Sequence, residues 1–333
     1  MPLAADPLAG LWYPLHALGW LGAGGFGFNL LFWIHLALAA GGGFKLLRSE
    51  GASTSASLLG GLAFAATPKL IGHAGLGHLT LVESICWTPW VLVSVRGAIE
   101  GALDPQRRAL RFARLGALLG LTFVIDPRWM LPSGLLALAY AGKCLAHSQE
   151  RRERGWRSLR WAPIVLVMAA ALAAPLAVPL AELTGRTTRA LMTAEEATSL
   201  SLSPVDLLGL LAVRPGAWPE TQTYLGASVL VLIVAMLAAA PSRHRFWWGV
   251  LLLSALLSLG LPAGVYARLS EVIPGLGLLR VPARFFLLAA LAASVLAGQA
   301  LDRLAQAAVG SREGRRARLA AVFTGGTVLA IGL

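Results

Sequence analysis

Charge is scarce in this chain. Only 13% of its 333 residues are Asp, Glu, Lys or Arg, against roughly 25% in an average soluble domain. Hydrophobic residues make up 57%, and the mean hydropathy is +0.70. A soluble core could not hold that much apolar surface, which excludes a soluble globular enzyme. Disorder is excluded as well, because it needs low hydrophobicity. Cysteine is scarcer still, with Cys86 and Cys144 alone. Both sit in apolar runs near opposite expected membrane faces, which argues against a disulfide or a Cys-based metal site. There is no Walker A, GxSxG, HExxH or CxxC motif, no low-complexity tract and no convincing internal repeat. Gly41-Gly42-Gly43 lies inside an apolar run and suits helix packing better than phosphate binding.

What is present is a series of apolar runs. A spanning helix takes about 20 apolar residues, so the length allows roughly nine or ten spans. The expected fold class is all-α: a polytopic transmembrane helical bundle forming one integral membrane domain over residues 1–333. Spans are expected near 26–47, 56–71, 79–98, 109–125, 130–146, 161–181, 224–240, 246–262 and 283–302, with a tenth starting near 319. Gly116 and Gly120 have the small-xxx-small spacing of close helix contact. Residues 1–25 read as an interfacial segment, 182–223 as a long polar loop, and 263–281 as a reentrant or interfacial stretch.

The net charge of +12 would suggest nucleic acid in a soluble protein. Here it resolves into sidedness. Alternating the loops puts most of the Lys and Arg on one side, including Lys45, Arg48, Arg107 to Arg114, Arg151 to Arg160 and Arg245. The positive-inside rule makes that side cytoplasmic. These basic runs read as topology determinants near anionic headgroups, and nucleic acid is not expected as a partner. Residues 1–25 and 182–223 then lie outside. An outer N-terminus with no signal peptide is expected to follow an earlier span, so the chain reads as a fragment truncated at both ends.

The outer side carries the candidates for chemistry. Ionisable residues within spans are costly and tend to be functional. Glu83 lies about one turn inside the third span, with His78 five residues before it and His73 further back. A carboxylate and an imidazole there could act as base and orienter, or hold a divalent metal. The plainer alternative has His78 capping the helix and Glu83 pairing with Lys69 or Arg128. Asp126-Pro127-Arg128 forms another outer turn, either self-neutralising beside a helix start or presenting Arg128 to a phosphate. Arg280 and Arg284 open the ninth span, where topology does not favour arginine. Arginine grips phosphate by paired hydrogen bonds; the alternative is a salt bridge to Glu271 or Asp206. Glu182, at the end of the sixth span, is the loop carboxylate most expected to face a cavity.

Several of these stretches together resemble the YfhO-like bacterial membrane proteins, a family similar to GT-C-type glycosyltransferases. The stretch from Ala5 to Leu15, ending Gly10-Leu11-Trp12-Tyr13-Pro14-Leu15, resembles the family's "NPQSGxxYPL" opening. The helix with Ile34-His35-Leu36 resembles its "LHL" helix. Gly77-His78-Leu79-Thr80 followed by Trp87-Thr88-Pro89-Trp90 resembles "GHLT…WLPL". The segment from Ile273 to Phe285, with Arg280-Val281-Pro282-Ala283-Arg284-Phe285, resembles "LPGFSLFRVPARF" and is the most specific. The family's "GHPQ" is replaced by Ile125-Asp126-Pro127-Arg128.

The resemblance implies an enzyme of the bacterial inner membrane that moves a sugar from a polyprenyl-phosphate donor. The acceptor would be a cell-envelope polymer, lipid or protein on the extracytoplasmic face. Arg280 and Arg284 would hold the donor phosphate, and Glu83 and His78 would line the cavity. In GT-C-type enzymes the catalytic carboxylate sits on the loop after the first span, which this chain is expected to lack. No organic cofactor is implied. Two other classes fit the same residues: a transporter or flippase of lipid-linked precursors, and a non-catalytic envelope-assembly subunit.

Overall fold

The structure is a computed structural model. It describes residues 3–20, 25–186, 196, 198–214, 216–239, 244–260, 264–273, 275–276 and 279–309. The regular structure among the described residues is all helical, with no strand. The α-helices are α1 (Phe26–Ser49), α2 (Thr54–Ala65), α3 (Pro68–Gly75), α4 (Leu79–Glu100), α5 (Arg108–Ile125) and α6 (Pro127–Ala146). They continue as α7 (Arg151–Thr184), α8 (Ala227–Ala239), α9 (Arg245–Ser258), α10 (Val265–Val272) and α11 (Phe286–Val309). Short 3₁₀ turns occupy Leu3–Ala5, Pro14–Trp20, Pro204–Leu210, Pro219–Thr221 and Pro282–Phe285.

Three stretches among the described residues are long and apolar enough to cross a bilayer: Phe26–Ser49, Arg151–Thr184 and Pro282–Ala307. That is the pattern of a multi-pass membrane protein. The remaining expected spans correspond to helices that are shorter or more polar. The second is broken: α2 stops at Ala65, and α3 begins at Pro68. Proline disfavours helical backbone in the residue before it, so the chain turns at Ala66-Thr67. Among its described residues, the reentrant stretch contains the short α10. The expected tenth span lies outside the described residues.

The chain forms two compact units. The first comprises residues 1–42, 73–199 and 267–280. In it α5 packs on α7 and α4, and α4 packs on α6. Gly116 and Gly120 set the α5–α7 distance. A Cβ on Gly116 would come within 2.5 Å of the Val165 carbonyl, and one on Gly120 within 2.8 Å of the Ala169 carbonyl. Hydrophobic burial from water is not available between helices in lipid, so close backbone approach is the driving contact. Residues 3–20 fold onto this unit, with Leu3–Ala5 against α7 and Tyr13 buried.

The second unit comprises residues 43–72, 200–266 and 281–333. Its centre is α11, which packs against α2, α8 and α9. The apolar window of Pro282–Ala307 is 89% buried. Gly60 and Gly298 allow α2 and α11 to touch, each lying close to a backbone carbonyl of the other helix. Asp302 on α11 accepts the Ser53 N–H at 2.7 Å, and Ser53 caps α2 by accepting from the Ala56 N–H.

Candidate functional site

In the first unit a chain of polar groups runs through an apolar interior. Glu83 is fully buried on α4, and its Oε2 lies 2.7 Å from His16 Nε2. An ionised carboxylate can only accept, so Nε2 of His16 carries the proton. Nδ1 of His16 is then left with its lone pair, and no hydrogen bond engages it among the described residues. That nitrogen lies against Gly10. A Cβ on Gly10 would sit 1.8 Å from it, and Gly10 has φ of +60°. Both the space and the left-handed backbone call for glycine there.

Beside this pair, His35 on α1 is fixed by its partners. Its Nδ1 is 2.7 Å from the Leu31 carbonyl, which can only accept, so Nδ1 holds the proton. Nε2 therefore accepts from the Tyr13 hydroxyl at 2.7 Å. The Tyr13 oxygen in turn accepts from Trp87 Nε1 at 3.0 Å. Burial pushes the Tyr13 phenol well above its ordinary range, and the Trp87 hydrogen bond offsets only part of that rise. His35 Nδ1 stands 3.8 Å from Glu83 Oε1, too far for a hydrogen bond. Oε1 itself has no hydrogen-bond partner among the described residues. Glu83 is thus held on one side by His16 and keeps acceptor capacity on the other.

His16 and Tyr13 reach a pocket of about 410 Å³. Its other walls are mainly apolar, with Leu3, Leu8, Leu11, Phe28, Leu31 and Leu79. The side chain of His16 is 16% exposed and that of Glu83 is 0%. The imidazole therefore faces the pocket, and the carboxylate stands behind it. This is the order in which a carboxylate orients an imidazole and stabilises its protonated form.

The other expected residues fall in separate places. His78 occupies the N-cap position of α4, but its side chain makes no capping hydrogen bond. Its Nδ1 lies 2.9 Å from His73 Nδ1 instead. Two imidazole nitrogens so placed can share a proton or a divalent cation. Asp126 ends α5 and caps α6, accepting from the Arg128 N–H at 3.0 Å and from Arg128 Nε at 2.8 Å. The turn is thus self-neutralising, as one of the two alternatives held. Thr80 donates to the same carboxylate at 3.4 Å. Glu182 lies exposed near the end of α7.

In the second unit Arg284 is engaged by Glu220, with Nε at 3.0 Å and Nη2 at 2.7 Å from Oε1. The partners foreseen for it, Glu271 and Asp206, are not the ones found. Asp206 is bound by Arg214 and by Ser203 in a capping box. Partial burial alone would raise the Asp206 carboxyl. The hydrogen bonds from Ser203 and the Arg214 charge outweigh it and hold the group below its ordinary range. Lys69 is fully buried, and Nζ donates to the carbonyls of Pro219, Glu220 and Gln222 rather than to any carboxylate expected for it. Arg280 is exposed.

His16 had no signal of its own in the sequence. It directly follows Tyr13-Pro14-Leu15, one residue beyond the stretch that resembles the family opening. Comparison of the chain with family models, with curated proteins and with solved structures finds no match.

Proposed function

We propose that the chain acts as a membrane glycosyltransferase of the GT-C type, moving a sugar from a polyprenyl-phosphate donor to a cell-envelope acceptor. The reading starts from the four stretches that resemble the YfhO-like family. The observation that carries it further is the His16–Glu83 pair at the wall of an apolar pocket. Such a wall suits a lipid-linked donor, and the pair supplies a base. The acceptor hydroxyl attacks the anomeric carbon. A new carbon–oxygen bond forms as the bond to the donor phosphate breaks, and that electron pair leaves with polyprenyl phosphate. The hydroxyl proton passes to Nδ1 of His16, and the Glu83 carboxylate steadies the resulting imidazolium.

Glu83 is thereby a positioning residue, and His16 takes the role first given to Glu83 and His78. Arg280 is the candidate for the donor phosphate, whereas Arg284 is already engaged by Glu220. The proposed setting is the outer face of a bacterial inner membrane, with the basic loops cytoplasmic.

A second reading draws on the buried Tyr13–His35 pair beside Glu83. Buried ionisable groups of that kind also serve proton relays in transporters. Purified full-length protein in nanodiscs, given polyprenyl-phosphate sugars and envelope acceptors, separates the two. Release of polyprenyl phosphate that His16→Ala abolishes supports the transferase. Proton-coupled flux of a lipid-linked precursor without that release supports the transporter.

A further inference from the structure

The arginines at the starts of α5 and α7 do more than mark a side of the membrane. Arg108, Arg152, Arg157 and Arg160 line a groove of about 760 Å³, together with Trp156 and Trp161. Glu153 is the one acidic side chain in its wall, and Arg157 already pairs with it at 2.8 Å. Arg108, Arg152 and Arg160 make no ion pair among the described residues. The Arg108 guanidinium lies over the Trp161 ring at 5.2 Å, and its buried Nε has no hydrogen-bond acceptor among the described residues. The neighbouring Arg154 is spent on the last carbonyls of α4, those of Ile99 and Glu100. The groove therefore carries three guanidinium groups, from two helices, that have no ion-pair partner among the described residues. Both helices also start there, which adds their positive dipole ends.

The shape beyond the groove names the ligand. Past Trp161, α7 is a hydrophobic rod whose apolar window is only 6% buried. Leu166, Val167, Leu172 and Val178 are all exposed on it. A soluble anion would use the arginines and leave this face unused. A phospholipid uses both, with its acyl chains on α7 and its phosphate among the arginines. Trp156 and Trp161 sit at the junction, where indole rings favour the headgroup level.

We infer that the α5–α7 groove is a binding site for one anionic glycerophospholipid. Arg108, Arg152 and Arg160 grip the headgroup, and the exposed face of α7 carries the tails.

The test is lipid retention by the purified full-length protein, stripped of lipid in a zwitterionic detergent. Phosphatidylglycerol and phosphatidylcholine are added in equal amounts, and bound lipid is counted by native mass spectrometry. Wild type should retain phosphatidylglycerol over phosphatidylcholine by about a hundredfold, one step for each of the three guanidinium groups. Each guanidinium lost should lower that preference about fivefold, so that Arg108→Gln/Arg152→Gln/Arg160→Gln approaches parity. Arg160 is exposed, so Arg160→Gln alone keeps the fold and should still show one such step. Equal retention of the two lipids by wild type, or an unchanged preference in Arg160→Gln and the triple variant, overturns the inference. Displacement of the lipid by millimolar inorganic phosphate also overturns it, by assigning the groove to a free anion.

Discussion

His16 illustrates how a single side chain acquires a role from partners far along the chain. Its carboxylate partner lies 67 residues away, so no helical spacing announces the pair. Arg284 and Glu220 are separated by 64 residues and are equally silent. Local pairs were legible: Asp126 before Pro127 reads as a cap, and it is one. Asp206 gives a pH test at this scale. Its carboxyl is held below the ordinary value of about 3.9, so its stabilising effect is full above that value. The effect fades as pH falls through the lowered value, when the proton removes the charge that Ser203 and Arg214 hold. Hydrogen exchange over residues 200–214, corrected for its intrinsic pH dependence, should therefore rise in wild type only once the pH has fallen below the ordinary aspartate value. Asp206→Asn should show the raised exchange already at neutral pH. Equal exchange in both proteins at neutral pH would remove Asp206 from that role.

Among the elements, the α5–α7 pair is the most exacting. The sequence spacing of Gly116 and Gly120 pointed to close packing, and the backbone carbonyls of Val165 and Ala169 lie where side chains would go. Gly116→Leu must push the helices apart, since a carbonyl cannot move aside as a side-chain tip can. A loss of about 1–3 kcal/mol is expected from such overpacking, read as a lower Tm in detergent. Gly142→Leu on α6, where nothing approaches the missing Cβ, should leave Tm nearly unchanged. Equal effects at both sites would contradict the packing. Helix positions were legible because apolar runs are continuous. The break between α2 and α3 was signalled by Pro68 but hidden by the apolar residues on both sides of it. The folding of residues 3–20 onto the first unit was not legible, because Tyr13, His16 and Trp12 look the same at a lipid interface as in a pocket wall.

At the scale of the whole molecule, the scarcity of charge gives each remaining charge a meaning. Lys and Arg concentrate in alternate loops, and the expectation is that those loops are cytoplasmic. With Cys86 and Cys144 replaced by Ala, a Cys at Arg152 should react with a membrane-impermeant maleimide only after cells are opened. A Cys at the exposed Leu208 should react in intact cells. The reverse pattern would invert the orientation and move the lipid groove to the other leaflet. The measurement that bears most directly on the transferase reading is polyprenyl phosphate release by full-length protein in nanodiscs. His16→Ala should abolish release. Glu83→Gln, which keeps the shape but not the charge behind the imidazole, should slow it by about 10²–10⁴-fold while substrate binding persists. Release that is unchanged in both variants would contradict the account.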